Sequence, residues 1–100
     1  MEIVKNLSGK ILKVKVIGRL DTNTAPELED NLKDDLANAE RIELDLEKLD
    51  YISSAGLRTV LVLHKSMSSK KGALVVMHPK DEVMEVFDMT GFSSFLDIED

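Results

Sequence analysis

The chain reads as an α/β protein: a mixed sheet of four to five strands with three to four helices packed mainly on one face. Two observations carry this. Runs with a period of two alternate with runs at helical spacing, in the order strand, strand, helix, strand, helix, strand, helix, strand, which is an α/β pattern. Two of the strand runs also alternate chemically. Leu12, Val14 and Val16 are separated by Lys13 and Lys15, and Ile42, Leu44 and Leu46 by Glu43 and Asp45. A sheet covered on both faces requires apolar residues on both. The alternation therefore predicts one layer of helices, with a charged face where Lys13 and Lys15 meet Glu43 and Asp45. Successive right-handed crossovers in one direction place the helices on that single side.

Each element has its own signal. Residues Glu2–Leu7 predict a short edge strand, Ser8-Gly9-Lys10 a turn, and Ile11–Ile17 the alternating partner, so the pair reads as a hairpin. Gly18 ends that strand, and residues Asp21–Thr24 form a polar loop. Thr24, Pro26 and Glu27 predict a helix start with a capping box. Leu28, Leu32 and Leu36 form its buried stripe, while Glu29, Asp30, Lys33 and Asp34 face water. A strand at Arg41–Leu46 precedes a loop containing Ser53 and Ser54. A helix follows to about Ser69, carrying Leu57, Val60, Leu61, His64 and Met67, and Lys71-Gly72 closes it. Ala73–Met77 is a continuous apolar run, as in a strand buried on both faces. Pro79 opens a last helix bearing Val83, Val86 and Phe87; Gly91 stops it, and Phe95–Ile98 is a terminal strand or extended tail. With no repeat and no linker, residues 1–100 read as one domain, large enough to bury most of its apolar surface.

Composition removes several function classes. The chain is 43% apolar and 32% charged, the balance of an ordinary soluble globule, with no cysteine for a disulfide or a thiolate metal site. A net charge of −6 argues against direct nucleic-acid binding, which gains affinity from Lys and Arg on phosphates. Lys70-Lys71, the densest basic spot, reads as a helix C-terminus favoured by the dipole. No apolar run approaches the roughly 18 residues of a membrane span. The N-terminus lacks a signal-peptide pattern, so a cytoplasmic location is expected.

Enzyme readings fail on geometry. Ser54 and His64 are ten residues apart, about 15 Å along one helix, whereas a nucleophile and its base need roughly 3 Å. There is no Gly-x-Ser-x-Gly elbow and no glycine-rich phosphate loop. His64 and His78 are isolated, Asp21 alone makes no magnesium pocket, and the Glu27–Asp35 acids read as a solvated helix face. No catalytic residue, metal or cofactor is expected.

The informative stretch is Tyr51-Ile52-Ser53-Ser54-Ala55-Gly56-Leu57-Arg58. It places two hydroxyls at a helix entrance, where up to four backbone N–H groups lack partners. One reading is an N-cap. The other is a phosphorylation switch, because the helix N-terminus favours an added dianion. One serine can serve both.

This stretch resembles the signature loop of the STAS domain family, the sulfate transporter and anti-sigma factor antagonist module, which reads Asp-Ser-Ser/Thr-Gly-Leu. Ser53 stands where the family has Asp, Ser54 matches the regulatory serine, Ala55 replaces Ser/Thr, and Gly56-Leu57 agree. Residues 18–28 resemble the family's Gly-x-Leu-Asp segment, and residues 87–92 its Leu-Thr-Gly-Leu segment. The resemblance implies the same one-sided architecture. It implies an anti-sigma factor antagonist that binds a serine-kinase anti-sigma factor, a histidine-kinase-like ATPase, and is released by phosphorylation of Ser54, with Ser53 as second choice. A serine phosphatase would restore it. Docking would use Asp21, Thr22, Asn23, Thr24, Ser53, Ser54, Ala55, Gly56, Leu57 and Arg58, with Arg58 pairing either with phosphate or with an acidic partner. The rival readings are an unphosphorylated STAS scaffold subunit, as of a lipid-transport ATPase, and a small-ligand sensor.

Overall fold

A computed structural model describes residues 1–100. The chain opens with the antiparallel hairpin β1 (Glu2–Ser8) and β2 (Ile11–Leu20), in register from Glu2 opposite Ile17 to Ser8 opposite Ile11. The strands β3 (Arg41–Asp45), β4 (Leu49–Ile52), β5 (Ala73–Met77) and β6 (Asp97–Glu99) add in parallel. The order is β1-β2-β3-β5-β6, with β4 paired to β2.

The sheet thus has six strands, more than the four to five expected, because β2 does not stop at Gly18. Gly18 adopts φ 105°, and the pairing register shifts between Gly18 and Arg19, so the strand bends without ending. Its first half pairs with β3; beyond the bulge, Arg19 and Leu20 pair with Tyr51 and Ile52 of β4. The period test misses β4 because Leu49 and Ile52 are buried while Asp50 and Tyr51 between them are exposed. The C-terminal segment is a strand, with Val76 opposite Ile98.

Four helices, α1 (Ala25–Leu32), α2 (Asp35–Asn38), α3 (Ser54–Ser69) and α4 (Asp81–Thr90), share one core with the sheet. Leu12, Val14 and Val16 of β2 meet Leu28 and Leu32 of α1, Val60, Leu63 and Met67 of α3, and Val83 and Phe87 of α4 in that cluster. On the opposite face Lys13 lies opposite Glu43 and Lys15 opposite Asp45, the expected charged layer. There Arg41 pairs with Glu43 at 2.9 Å and reaches Glu99 at 3.7 Å. Val75, on that same face of the interior strand β5, is fully buried.

The single helix expected over Leu28–Leu36 is broken. Continuing α1 would require the Asn31 carbonyl to accept from residue 35; instead the Lys5 ammonium of β1 donates to it at 2.9 Å and pairs with Asp35 at 2.8 Å. The chain turns and restarts as α2, leaving Leu36 only half-buried. Lys70, at the end of α3, donates to the carbonyls of Leu36 and Ala39 at 2.8 Å and of Ala37 at 3.3 Å. Those are carbonyls a four-residue helix leaves without partners.

Candidate functional site

The ends of β2 and β4 deliver two loops to one edge of the sheet, where ligands and partners of parallel sheets commonly sit. They are tied together by backbone, since the Ser53 N–H donates to the Leu20 carbonyl at 2.9 Å. Ser53 is extended (φ −95°, ψ 177°), and its Oγ accepts from the Gly56 N–H at 3.3 Å, making it the N-cap of α3. The cap reading therefore belongs to Ser53. Ser54 is the first helical residue; its side chain is exposed and its hydroxyl makes no hydrogen bond within the chain.

Gly56 explains how the turn comes so close to the sheet. A Cβ there would lie 2.7 Å from the Leu20 carbonyl oxygen and 2.8 Å from Ile52 Cγ1. Only a residue without a side chain lets α3 start against the ends of β2 and β4. Gly56 and Leu57 are buried, so they set the position of the surface and present no contact area of their own.

The Asp21–Thr24 loop is held by a different group from the one expected. Thr24 makes no side-chain cap bond; its hydroxyl accepts from the Asp21 N–H at 2.8 Å and donates to the Arg19 carbonyl at 2.8 Å. The Asp21 carboxylate accepts from the N–H groups of Asn23 at 3.0 Å and Thr24 at 3.1 Å. A charged acceptor makes the stronger bonds, so Asp21 organises the turn and the Thr24–Glu27 capping box does not form. The Thr24 N–H, with help from Asn23, the Thr24 hydroxyl and Arg19, holds the Asp21 carboxyl below its ordinary value.

Between the two loops runs a groove of about 280 Å³, lined by Thr22, Ala25, Pro26, Glu29, Ala55, Arg58 and Thr59. Thr22, Ala55 and Arg58 of the expected set thus line one groove, Ser54 adjoins it as the residue before Ala55, and Thr22, Asn23, Ser54 and Arg58 are exposed. Sequence reading missed three participants. Thr59, the one buried polar residue, hydrogen-bonds Glu29 at 3.1 Å and joins α3 to α1. Arg19 lies 4.2 Å over the ring of Tyr51, which is 42% exposed, and 3.8 Å from Asp21. Arg and Tyr together are what protein interfaces favour, but the signal needs the β2–β4 pairing, which the sequence does not announce. Elsewhere, His64 packs against Phe95 with ring centroids 5.2 Å apart. No three His, Asp or Glu side chains converge as a metal site would require, and no helix is long and apolar enough to cross a membrane.

The STAS domain family matches residues 2–100, essentially the whole sheet and every helix. The chain belongs to the STAS domain family. Among STAS relatives, a Bordetella bronchiseptica protein, BtrV, named as a candidate anti-sigma factor antagonist, is 42% identical over 82 residues, covering 81% of this chain and 71% of its own. The anti-sigma-B factor antagonist of Staphylococcus aureus is 28% identical over 101 residues, covering 100% of this chain and 94% of its own. The fold is that of SpoIIAA, solved as an anti-sigma factor antagonist in its unphosphorylated form and, from Bacillus, in a phosphorylated form. The unphosphorylated form superposes with a TM-score of 0.85 at 16% identity, covering 97% of this chain and 87% of SpoIIAA. The phosphorylated form gives 0.78 at 15% identity, covering 97% and 90%.

Proposed function

We propose that this STAS domain is an anti-sigma factor antagonist of a partner-switching circuit, a cytoplasmic binding protein and not an enzyme. Unphosphorylated, it docks on a serine-kinase anti-sigma factor of the histidine-kinase-like class. Phosphorylation of Ser54 releases it, and a serine phosphatase resets it. The observation that carries the reading is the state of Ser54: an exposed, unbonded hydroxyl on the first residue of a helix anchored to the sheet. Two named relatives and the existence of SpoIIAA in phosphorylated and unphosphorylated forms on this fold support it.

Release requires no refolding. A phosphate adds about −1.5 to −2 charges and three acceptor oxygens, which the free domain tolerates because the helix N-terminus stabilises an anion by roughly 0.3–2 kcal/mol. Against a closed interface the same group must be desolvated. A net penalty of only ~3 kcal/mol weakens binding more than about a hundredfold. Docking would centre on Thr22, Asn23, Ser54, Ala55 and Arg58, flanked by Asp21, Thr24 and Ser53. Incubation with the cognate kinase and ATP, followed by mass spectrometry, should place phosphate on Ser54 and leave Ser54→Ala unmodified. If Ser54 stays unmodified and Ser54→Glu binds its partner as the wild type does, the domain is a static scaffold instead.

A further inference from the structure

The two loops leave one strong cation uncommitted beside Ser54. The chain has three arginines. Arg19 is engaged by Asp21 and Tyr51, and Arg41 by Glu43 and Glu99. Arg58 is exposed and makes no ion pair, although it shares a groove with the Glu29 carboxylate, which is held by Thr59. Helix α3 itself contains no acidic residue that could neutralise it. Lys80, another cation, is occupied by Asp50 near the start of β4.

Its position has a direction. Ser54 and Arg58 are four residues apart on α3, so their Cβ atoms are neighbours at roughly 5–6 Å. Helical side chains lean toward the N-terminus and cover the preceding turn, so the guanidinium of Arg58 has its natural reach over Ser54. The N–H groups of the first turn are less available than at an uncapped helix, since Ser53 Oγ already accepts from Gly56. No carboxylate occupies the cap position either, because residue 53 is Ser. A dianion on Ser54 would thus meet a free, forked donor and no fixed negative charge at the adjoining residue 53.

We propose that Arg58 is an intramolecular clamp for phosphorylated Ser54, a positioning residue that folds the phosphate onto α3 and stabilises the released form. The inference rests on the reading of Ser54 as the phosphoacceptor. Arg58 pairs with the phosphate by charge-assisted, fork-like hydrogen bonds. The same side chain is free to face the partner in the unmodified protein, so phosphorylation withdraws a docking cation as well as adding charge.

The test uses full-length chain with phosphoserine placed at position 54 during translation, so that no kinase has to recognise it. Phosphorus NMR titration reads the second ionisation of the phosphate, ordinarily near 6. In the wild-type background it should fall about half a unit below the value in Arg58→Ala, with Arg58→Lys in between. Phosphorylation should also change Tm about 2–4 °C more favourably in wild type than in Arg58→Ala. Superimposable titrations together with equal Tm changes would overturn the clamp. The unphosphorylated Arg58→Ala protein provides the folding control, as Arg58 is exposed. A kinase that ignores Ser54 would sink the switch reading while leaving the titration difference in place, so the two failures are distinguishable.

Discussion

Replacing Gly56 by alanine tests how the Ser54 surface is built, because local propensity and packing give opposite signs. In a solvent-exposed helix, Gly→Ala stabilises by up to about 1 kcal/mol. Here the new methyl would lie 2.7 Å from the Leu20 carbonyl oxygen, 2.8 Å from Ile52 Cγ1 and 3.0 Å from Leu20 Cγ. An unstrained carbon–oxygen contact is nearer 3.3–3.6 Å, so something must move by roughly half an ångström. The carbonyl cannot easily give way: it accepts from Ser53, and its strand is paired with β4. Helix α3 must therefore shift, disturbing its contact with α1 and the cap at Ser53. Overpacking this tight against backbone that cannot yield falls in the upper half of the usual range of about 1–3 kcal/mol, which outweighs the propensity gain and leaves a net loss of about 1–2 kcal/mol. For a chain of this size each kcal/mol moves Tm by about 4–8 °C, so a fall of about 5–15 °C is expected in thermal unfolding followed by circular dichroism. An unchanged or higher Tm would refute the packing argument and with it the claim that Gly56 sets the height of Ser54.

Two further outcomes follow from the same contacts. Lys70→Met should cost about 1–2 kcal/mol by removing charged donors from carbonyls, and amide exchange should accelerate in α2 before it does in β2; uniform exchange would contradict that role. Asp21 has a depressed folded-state pKa, so the stability it contributes is present above its unfolded value of about 3.9 and is lost as pH falls through the lower folded value. Asp21→Asn should therefore flatten the acid limb of the stability profile below about pH 4, and an unaltered limb would show that the turn does not depend on the charge.

What the sequence made legible was whatever rested on period and punctuation. The alternation around Lys13, Lys15, Glu43 and Asp45 gave the one-sided layer, and the α3 stripe gave the helix that carries Ser54. What it hid depended on long-range partners. The break after Leu32 comes from Lys5, 26 residues from the carbonyl it occupies, with no Gly or Pro to mark it. β4 is invisible because its partner is the far half of β2, beyond a bulge that sequence reading takes for a strand end. At Thr24 two plausible oxygens competed for the same turn, and the charged one three residues upstream won. At the candidate site the sequence marked Ser53, Ser54 and Arg58, whereas the Arg19–Tyr51 stack and the Thr59–Glu29 bridge exist only once strands and helices are juxtaposed.

The decisive measurement is the affinity of this domain for the serine-kinase anti-sigma factor proposed as its partner, compared between Ser54 and phosphoserine-54 forms by calorimetry under identical salt. If a phosphate on that hydroxyl cannot be accommodated in the closed interface, the modified form should bind more than about a hundredfold more weakly while keeping its unfolding temperature within a few degrees. Equal affinities for the two forms, or a loss of binding that tracks unfolding of α3, would contradict it.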